Sequence, residues 1–151
     1  MEDVEKAPSF KGLKPASSHT SRVKKANRAS DTMPEVILRR ELWRLGLRYN
    51  KCPRDLPGKP DLAFRRSKVA VFCDGDFWHG RNWATLKEKL ENGTNSAYWP
   101  AKIARNIQRD ATVNVLLEQL GWQVIRVWET DVKRHPEVAA QVISNAVRSR
   151  R

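Results

Sequence analysis

The stretch "LPGKPDLAFRRSKVAVFCDGDFWHG", residues 56–80, decides the predicted fold. Its opening, residues 56–61, contains two prolines and a glycine, which cannot continue a helix and therefore predict a turn. Two apolar runs follow, 62–64 and 68–73, and the short link "RRS" between them predicts a hairpin of two antiparallel strands. The start of the first strand must then lie beside the end of the second.

A helix is predicted before this hairpin. Thr32 and Glu35 match the pattern of a capping box, with Pro34 in the first turn. Leucines then recur at helical spacing until Gly46, which is a plausible C-terminal stop.

Three further elements are predicted after the hairpin. A long helix covers residues 98–120 and ends before Gly121, and "QVIRVWET", residues 123–130, predicts a central strand because both of its sides are partly apolar. Pro136 opens a last helix, and residues 80–96 are predicted as a loop or a short helical piece. The order α-β-β-α-β-α predicts an α/β (α+β) fold with one small mixed sheet flanked by helices.

The chain of 151 residues has the length of one ordinary domain, and residues 30–151 are predicted to form it. Residues 1–29 carry seven Lys or Arg and three acids with almost no apolar periodicity, which predicts a flexible basic arm. Two readings of this arm stay open. It lies along DNA, or it is a solvated tail or an expression remnant.

The charge of the chain predicts a polyanionic partner. Lys and Arg number 29 against 17 acids, for a net charge of +12. Basic proteins bind phosphate polymers by neutralising phosphates and releasing counterions. No apolar run approaches the length of a membrane span and the N-terminus does not resemble a signal peptide, so DNA is preferred to lipid and a cytoplasmic location is predicted. The two cysteines, Cys52 and Cys73, form no disulfide framework.

Acids that interrupt this basic pattern are candidate metal ligands. A basic domain that hydrolyses DNA needs a cation, and Mg²⁺ prefers carboxylate, carbonyl and water oxygens. The predicted hairpin brings Asp61 beside Cys73 and Asp74, which offer a backbone carbonyl and a carboxylate. His79 is a candidate general acid or base, and Glu35 could order a water at the metal.

Each of these residues has a structural alternative that stays open. Glu35 completes the capping box, and Asp61 caps the proline-rich turn. Asp74 or Asp76 forms a turn before or after Gly75, and His79 is an ordinary surface histidine. The joint pattern is much harder to obtain by chance than any single member.

Basic residues on the long helix are candidate DNA contacts. Lys102, Arg105 and Arg109 recur at i, i+3 and i+7 and make one stripe. Lys59, in the proline-rich turn, is assigned to DNA binding with them.

At "DLPGKPDLAF", "VFCDGDFWHG", "YWPAKIARNIQRD" and "GWQVIRVWE" the sequence resembles the very short patch repair (Vsr) endonucleases. The likeness covers about residues 29–133. It implies a fold like the PD-(D/E)XK restriction nucleases and a Mg²⁺-dependent nick 5′ to the T of a T·G mismatch in the DNA of a bacterial nucleoid.

The resemblance also implies roles for single residues. The family's Mg²⁺-binding aspartate falls on Asp61 and its metal-contacting carbonyl on Cys73. Its glutamate and catalytic histidine fall on Glu35 and His79. The aromatic residues that enter the base stack beside the mismatch fall on three positions: Phe77, Trp78 and Trp99.

Departures from the family concern the metals. Asp74 stands where the family commonly has a histidine, so a carboxylate could bind Mg²⁺ more directly there. The zinc-ligand positions correspond to Asp76, Arg81, Trp83 and Thr130, of which only Asp76 could ligate, so no structural zinc is expected. Our hypothesis is that an Asp76–Arg81 ion pair, bidentate and with Trp83 packed beside it, holds this loop in place of zinc.

Three functions compete at this stage. The first is a Mg²⁺-dependent endonuclease that nicks one strand at T·G mismatches. The second is a nuclease of the same fold with another target, such as a restriction or defence enzyme. The third is a catalytically weak DNA-binding module. Because nicking one strand needs one active site, a monomer is expected.

Overall fold

The structure is a computed structural model that describes residues 30–151, so the predicted arm 1–29 lies outside the described residues. Its helices are α1 (Met33–Arg44), α2 (Trp83–Glu91), α3 (Tyr98–Gln119), α4 (Glu129–Arg134) and α5 (Pro136–Ser149). Its strands are β1 (Asn50–Lys51), β2 (Leu62–Phe64), β3 (Val69–Asp74) and β4 (Gln123–Trp128).

One mixed sheet joins the four strands in the order β1-β2-β3-β4. The predicted hairpin is β2–β3, which pairs antiparallel with Leu62 opposite Val71. The last strand, β4, pairs parallel with β3, and Asp74 lies opposite Trp128 at the shared carboxyl end. The α/β prediction of a small mixed sheet flanked by helices is therefore confirmed.

The core lies on both faces of the sheet because β3 alternates. Val69, Val71 and Cys73 pack into a cluster with buried residues of α1 and α5. Ala70 and Phe72 point to the other face and pack with residues of α3. A sheet covered by helices on both faces needs apolar residues at every strand position, which explains the unbroken run in β3.

Several local predictions were incomplete or wrong. The last strand was predicted to cover residues 123–130. It ends at Trp128, and residues 129 and 130 begin α4. The two-residue strand β1 was missed because it is too short for a periodic signal. Within residues 80–96, the short helical piece that was one of the two predicted alternatives is present as α2. The prediction that residues 30–151 form a single domain stays a prediction.

The capping box was also wrong. Thr32 occupies the N-cap of α1 but makes no side-chain cap. Glu35 Oε2 instead accepts a hydrogen bond from the backbone N–H of Asp31, at 2.8 Å. Thr32 has the extended backbone of an N-cap, but the Glu35 side chain reaches one residue further back, to Asp31, which has a left-handed φ of 56°.

Within residues 30–151, no helix is both long and apolar enough to cross a membrane.

Candidate active site

The carboxylate of Asp61 is fixed against the end of β3. Its Oδ2 accepts a hydrogen bond from the backbone N–H of Cys73, at 2.7 Å. The backbone of Asp61 is held as well, because its N–H donates to Val71 and its carbonyl accepts from Cys52, each at 2.9 Å. The hairpin thus brings Asp61 and Cys73 together, as the sequence predicts.

Asp61 lies where negative charge is unfavourable. Burial raises the pKa of its carboxyl to about 7, against the lowering effect of the hydrogen bond from Cys73. The negative charges of Glu35 and Asp74 contribute to this rise. A cation at this carboxylate would offset both effects, so the donor set fits a divalent metal. Burial also raises the pKa of the Cys73 thiol, which leaves its backbone oxygen as the better ligand atom.

Asp74 is buried at the end of β3, with 4% of its surface exposed. Arg126 Nη1 donates to both of its carboxylate oxygens, at 3.2 and 3.1 Å. Its Oδ1 lies 3.7 Å from His79 Nδ1. Burial raises the pKa of Asp74, and the positive charges of His79 and Arg126 oppose this rise.

His79 pairs with a residue that the sequence analysis did not single out. Its Nδ1 lies 2.6 Å from Oδ2 of Asp110, which comes from α3. Because a carboxylate only accepts, Nδ1 carries the proton and Nε2 is left to exchange protons. Burial lowers the pKa of His79, but the hydrogen bond to Asp110 and the charge of Asp74 outweigh it and raise this pKa overall.

Asp110 completes a group that could hold a metal. Ligand atoms of Asp74, His79 and Asp110 all lie within 4.8 Å of one another. The signal in the sequence was the acid that ends "KIARNIQRD", which interrupts the basic stripe of the long helix.

Glu35 is buried at the start of α1, with 6% of its surface exposed. Beside the bond from Asp31, its Oε2 lies 3.8 Å from Arg39 Nη1. Asp31 is itself paired with Arg39 and Lys51 at 2.8 and 2.6 Å. These contacts hold Glu35 close enough to Asp61 for its charge to affect the pKa of that residue.

The three predicted wedge aromatics form one cluster. The Phe77, Trp78 and Trp99 rings meet edge to face, with centroids 5.3 to 5.7 Å apart. Phe77 is 36% exposed, so the cluster reaches the surface. Asn106 of α3 donates to the backbone carbonyl of Trp78 at 2.8 Å, a support that the sequence analysis missed.

The loop that carries these aromatics contains the ion pair of our hypothesis. Arg81 Nη1 lies 3.2 Å from Asp76 Oδ2, and Asp76 Oδ1 accepts a hydrogen bond from the Thr130 N–H, also at 3.2 Å. The pair is not bidentate, because one hydrogen bond joins Arg81 to Asp76, and the same Nη1 also donates to Asp131 at 3.0 Å. The ring beneath the guanidinium is that of Trp128, with 5.5 Å to the centroid, whereas the hypothesis placed Trp83 there.

These contacts, called here the loop clasp, join Asp76 and Arg81 to Trp128, Thr130 and Asp131. Burial acts to raise the pKa of Asp76, but hydrogen bonds from Thr130 and Arg81 hold it below its usual value. The expected absence of a structural zinc stays a prediction.

A cleft of about 270 Å³ opens beside His79. It lies between the proline-rich turn and α3, and its lining includes Gly58, His79, Asn106, Arg109, Asp110 and Arg126. Of the predicted phosphate contacts, Arg109 and Lys59 are exposed, and Lys102 and Arg105 are half-buried. The cleft therefore brings a basic residue of the stripe next to the His79–Asp110 pair.

The chain matches known proteins over most of its length. The family model described as DNA mismatch endonuclease Vsr matches residues 15–85. Type II nicking enzyme V.NmeDIP of Neisseria meningitidis serogroup C is 42% identical over 125 residues, which is 83% of each chain. Type II nicking enzyme V.HpaIIP of Haemophilus parainfluenzae is 41% identical over 128 residues, or 85% of this chain and 89% of that protein.

A more distant relative carries the family's own name. DNA mismatch endonuclease Vsr of Escherichia coli (strain K12) is 29% identical over 114 residues, which covers 76% of this chain and 71% of that protein. The resemblance and the PD-(D/E)XK-like fold inferred from the sequence are confirmed by these matches together with the mixed sheet. The chain belongs to the Vsr family and is a DNA endonuclease.

Proposed function

We propose that this endonuclease nicks one strand of duplex DNA at T·G mismatches in a Mg²⁺-dependent reaction. The observation that carries the proposal is the continuity of residues 73–79. This segment runs from the strand end beside Asp61, through the exposed aromatic cluster, to the His79–Asp110 pair. The names of the relatives, nicking enzyme and DNA mismatch endonuclease, support the same reading.

Asp61 and the backbone carbonyl of Cys73 are the proposed metal ligands. The N–H and C=O of one residue in an antiparallel pair face the same neighbouring strand, so the Cys73 carbonyl is expected on the side of Asp61. When bound, Mg²⁺ would supply positive charge for the developing phosphate charge. The sequence also predicts Asp74 as a ligand, and this stays a prediction.

His79 is proposed to move a proton through Nε2, while Asp110 holds Nδ1 and fixes the ring. Glu35 is proposed to order a water, since its second carboxylate oxygen remains for an additional hydrogen bond. Both residues affect the pKa of Asp61, so they lie near the proposed ligand.

Phe77, Trp78 and Trp99 are proposed to enter the base stack at the mismatch. Opening a base step costs a few kcal/mol, about what aromatic wedges can repay, and a mispair lowers that cost. Basic residues on α3 and in the proline-rich turn would hold the phosphates: Lys59, Lys102, Arg105 and Arg109. We further propose that the enzyme acts as a monomer on DNA in the bacterial cytoplasm.

A second candidate is a nuclease of this fold with another target. Asp74 favours it, because the family commonly has a histidine at this position. The ion pair of Asp74 with Arg126 therefore gives this site different charges from those expected in the family. The third candidate, a catalytically weak binding module, has no use for a buried carboxylate beside a fixed histidine.

Cleavage of three labelled duplexes separates these candidates. They carry a T·G mismatch, a different mismatch or fully matched bases, and each is incubated with Mg²⁺ or with EDTA. The proposal expects one-strand nicking of the T·G duplex in Mg²⁺ alone. Cleavage of matched DNA would instead support the second candidate, and binding without nicking on any duplex the third.

A further inference from the structure

Arg126, in β4, lies between the two carboxylates that flank His79. Its Nη1 is 3.1 and 3.2 Å from the oxygens of Asp74 and 3.5 Å from Oδ1 of Asp110. Its Nη2 donates to the backbone carbonyl of Asp110 at 3.5 Å. One guanidinium therefore touches both acids of the cluster.

The guanidinium is itself fixed from two other directions. Nε donates to Oδ1 of Asn114 at 2.8 Å. The group also lies over the Phe72 ring, with 4.1 Å from its central carbon to the ring centroid. A planar cation held by a hydrogen bond, a ring face and two carboxylates cannot easily leave the cluster.

The charge of Arg126 affects where a divalent cation can bind. Without it, Asp74, His79 and Asp110 would offer two carboxylates and an imidazole with ligand atoms within 4.8 Å of one another. With it, an ion in that group would stand close to a fixed positive charge. Asp61, in contrast, accepts its hydrogen bond from an uncharged backbone N–H.

We infer that Arg126 is a built-in cation of the Asp74–His79–Asp110 cluster. It is a positioning residue that excludes a divalent ion from this cluster and keeps the His79 imidazole free for proton transfer. Asp74 then acts through His79 and Arg126 and not as a metal ligand. This inference rests on the proposed nuclease function and assigns a division of labour within it, with the metal at Asp61 and the proton at His79.

Counting bound Mn²⁺ by electron paramagnetic resonance tests the inference in the full chain. The neutral variants Arg126→Gln and Arg126→Leu should each bind one more ion than the wild type. Arg126→Lys keeps the positive charge and should bind the same number as the wild type. Adding Asp74→Asn to Arg126→Gln should remove the extra ion, because the new site needs that carboxylate.

Mg²⁺ titration of nicking gives a second readout that loss of structure alone would not produce. Wild-type activity should reach a plateau as Mg²⁺ increases. Arg126→Gln activity should rise and then fall, since the extra ion occupies His79. Circular dichroism and duplex affinity identify the neutral variant that keeps the fold.

Equal Mn²⁺ counts for the wild type and a folded neutral variant would overturn the inference. So would a lower count for Asp74→Asn alone, since that result makes Asp74 a ligand in the wild type. Should the wild type nick no duplex, the proposed function fails, while the difference in Mn²⁺ counts still decides the role of Arg126.

Discussion

Asp61 Oδ2 lies 2.7 Å from the backbone nitrogen of Cys73, so a side chain at the end of the proline-rich turn takes the place of a ladder partner for β3. This bond orients the carboxylate, and the backbone bonds of Asp61 to Val71 and Cys52 hold the turn against the sheet. The buried carboxylate keeps its other oxygen, Oδ1, for a further partner. A cation is the partner that both the burial and the neighbouring acids favour.

Replacing Asp61 should therefore separate binding from cleavage. Asp61→Asn keeps an oxygen that can accept the Cys73 bond but removes the charge needed by the metal. Nicking should fall by at least about a thousandfold, since the loss of a metal affects both charge stabilisation and nucleophile activation. Single-turnover nicking and gel-shift affinity measure the two effects, and affinity should stay within about twofold because phosphate contacts dominate it.

The control is Asp55→Asn, which alters an exposed acid paired with Arg65 and should leave both measurements unchanged. Nicking by Asp61→Asn at the wild-type rate would show that the metal ligand lies elsewhere.

Stability in EDTA should depend on pH through Asp61. Its pKa is raised from 3.8 to about 7 in the folded protein, so the folded state binds this proton more tightly than the unfolded state does. The associated stability is fully present below pH 3.8 and is lost as pH rises to about 7. The upper limit of this loss is on the order of 4 kcal/mol.

Urea denaturation of the wild type and Asp61→Asn at pH 5 and pH 8 isolates this effect. The wild type should lose more stability than the variant between the two values, and Mg²⁺ should restore part of it at pH 8. Equal losses of stability in the two proteins would mean that the pKa of Asp61 is not raised in the folded protein.

The predictable part of this site is the part made by one hairpin. Two short unbroken apolar runs and a proline-rich turn are local signals, and they bring Asp61 to Cys73 across 12 residues. The partners of His79 and Asp74 come from α3 and β4, 31 and 52 residues away, and no local pattern pairs them. The contacts of Asp110 and Arg126 could therefore be identified only from the packing of α3 and β4.

The loop clasp shows the same limit on a smaller scale. The Asp76–Arg81 pair lies five residues apart and could be predicted, whereas its supports on β4 and α4 could not. Thr130 contributes through its backbone N–H, a group that its amino-acid type does not reveal.

Breaking the loop clasp should weaken mismatch nicking more than DNA binding. Asp76→Ala removes the acceptor of both Arg81 and the Thr130 N–H, which should cost about 1 kcal/mol of stability. The loop that carries Phe77, Trp78 and His79 then loses its fixed position, so the nicking rate of the T·G duplex should fall. Thermal unfolding and single-turnover kinetics check both effects.

Asp55→Ala breaks an ion pair on the surface and serves as the matched control, for which no measurable change is expected. A clasp variant with wild-type kinetics would show that the clasp is not needed to position the loop. If metal analysis finds one zinc ion per protein, the zinc and not the clasp would explain how this loop is held.

Trp78→Ala should reduce the preference for mismatched over matched DNA by about tenfold or more, because an aromatic wedge repays a stacking cost of a few kcal/mol. The salt dependence of affinity should stay the same, since the phosphate contacts are unchanged. Competition binding with T·G and matched duplexes at several salt concentrations measures both quantities. The control is Trp43→Ala, which removes an exposed tryptophan of α1 that packs on Tyr49 and Arg48. If Trp78→Ala prefers the T·G duplex over the matched duplex as strongly as Trp43→Ala does, the aromatic cluster is not the wedge.

Gly58 should be required for the close contact between the proline-rich turn and α3. Its φ is +73°, and an added Cβ would overlap with Cγ1 of Val113. Gly46 has a similar φ of +80° but open space around the corresponding position. Gly46→Ala therefore measures the backbone strain alone, about 1 kcal/mol, and Gly58→Ala adds a steric clash of about 1–3 kcal/mol.

Urea denaturation should show this difference between the two alanine variants, and nicking should show a larger one. Only Gly58→Ala moves the turn that positions Asp61, so it should lower the cleavage rate while Gly46→Ala leaves it near the wild-type value. Equal stability and equal cleavage in the two variants would mean that the turn can shift away from Val113 without moving the carboxylate. In that case the bond between Asp61 and Cys73, and not the contact with α3, would hold the active-site acid in place.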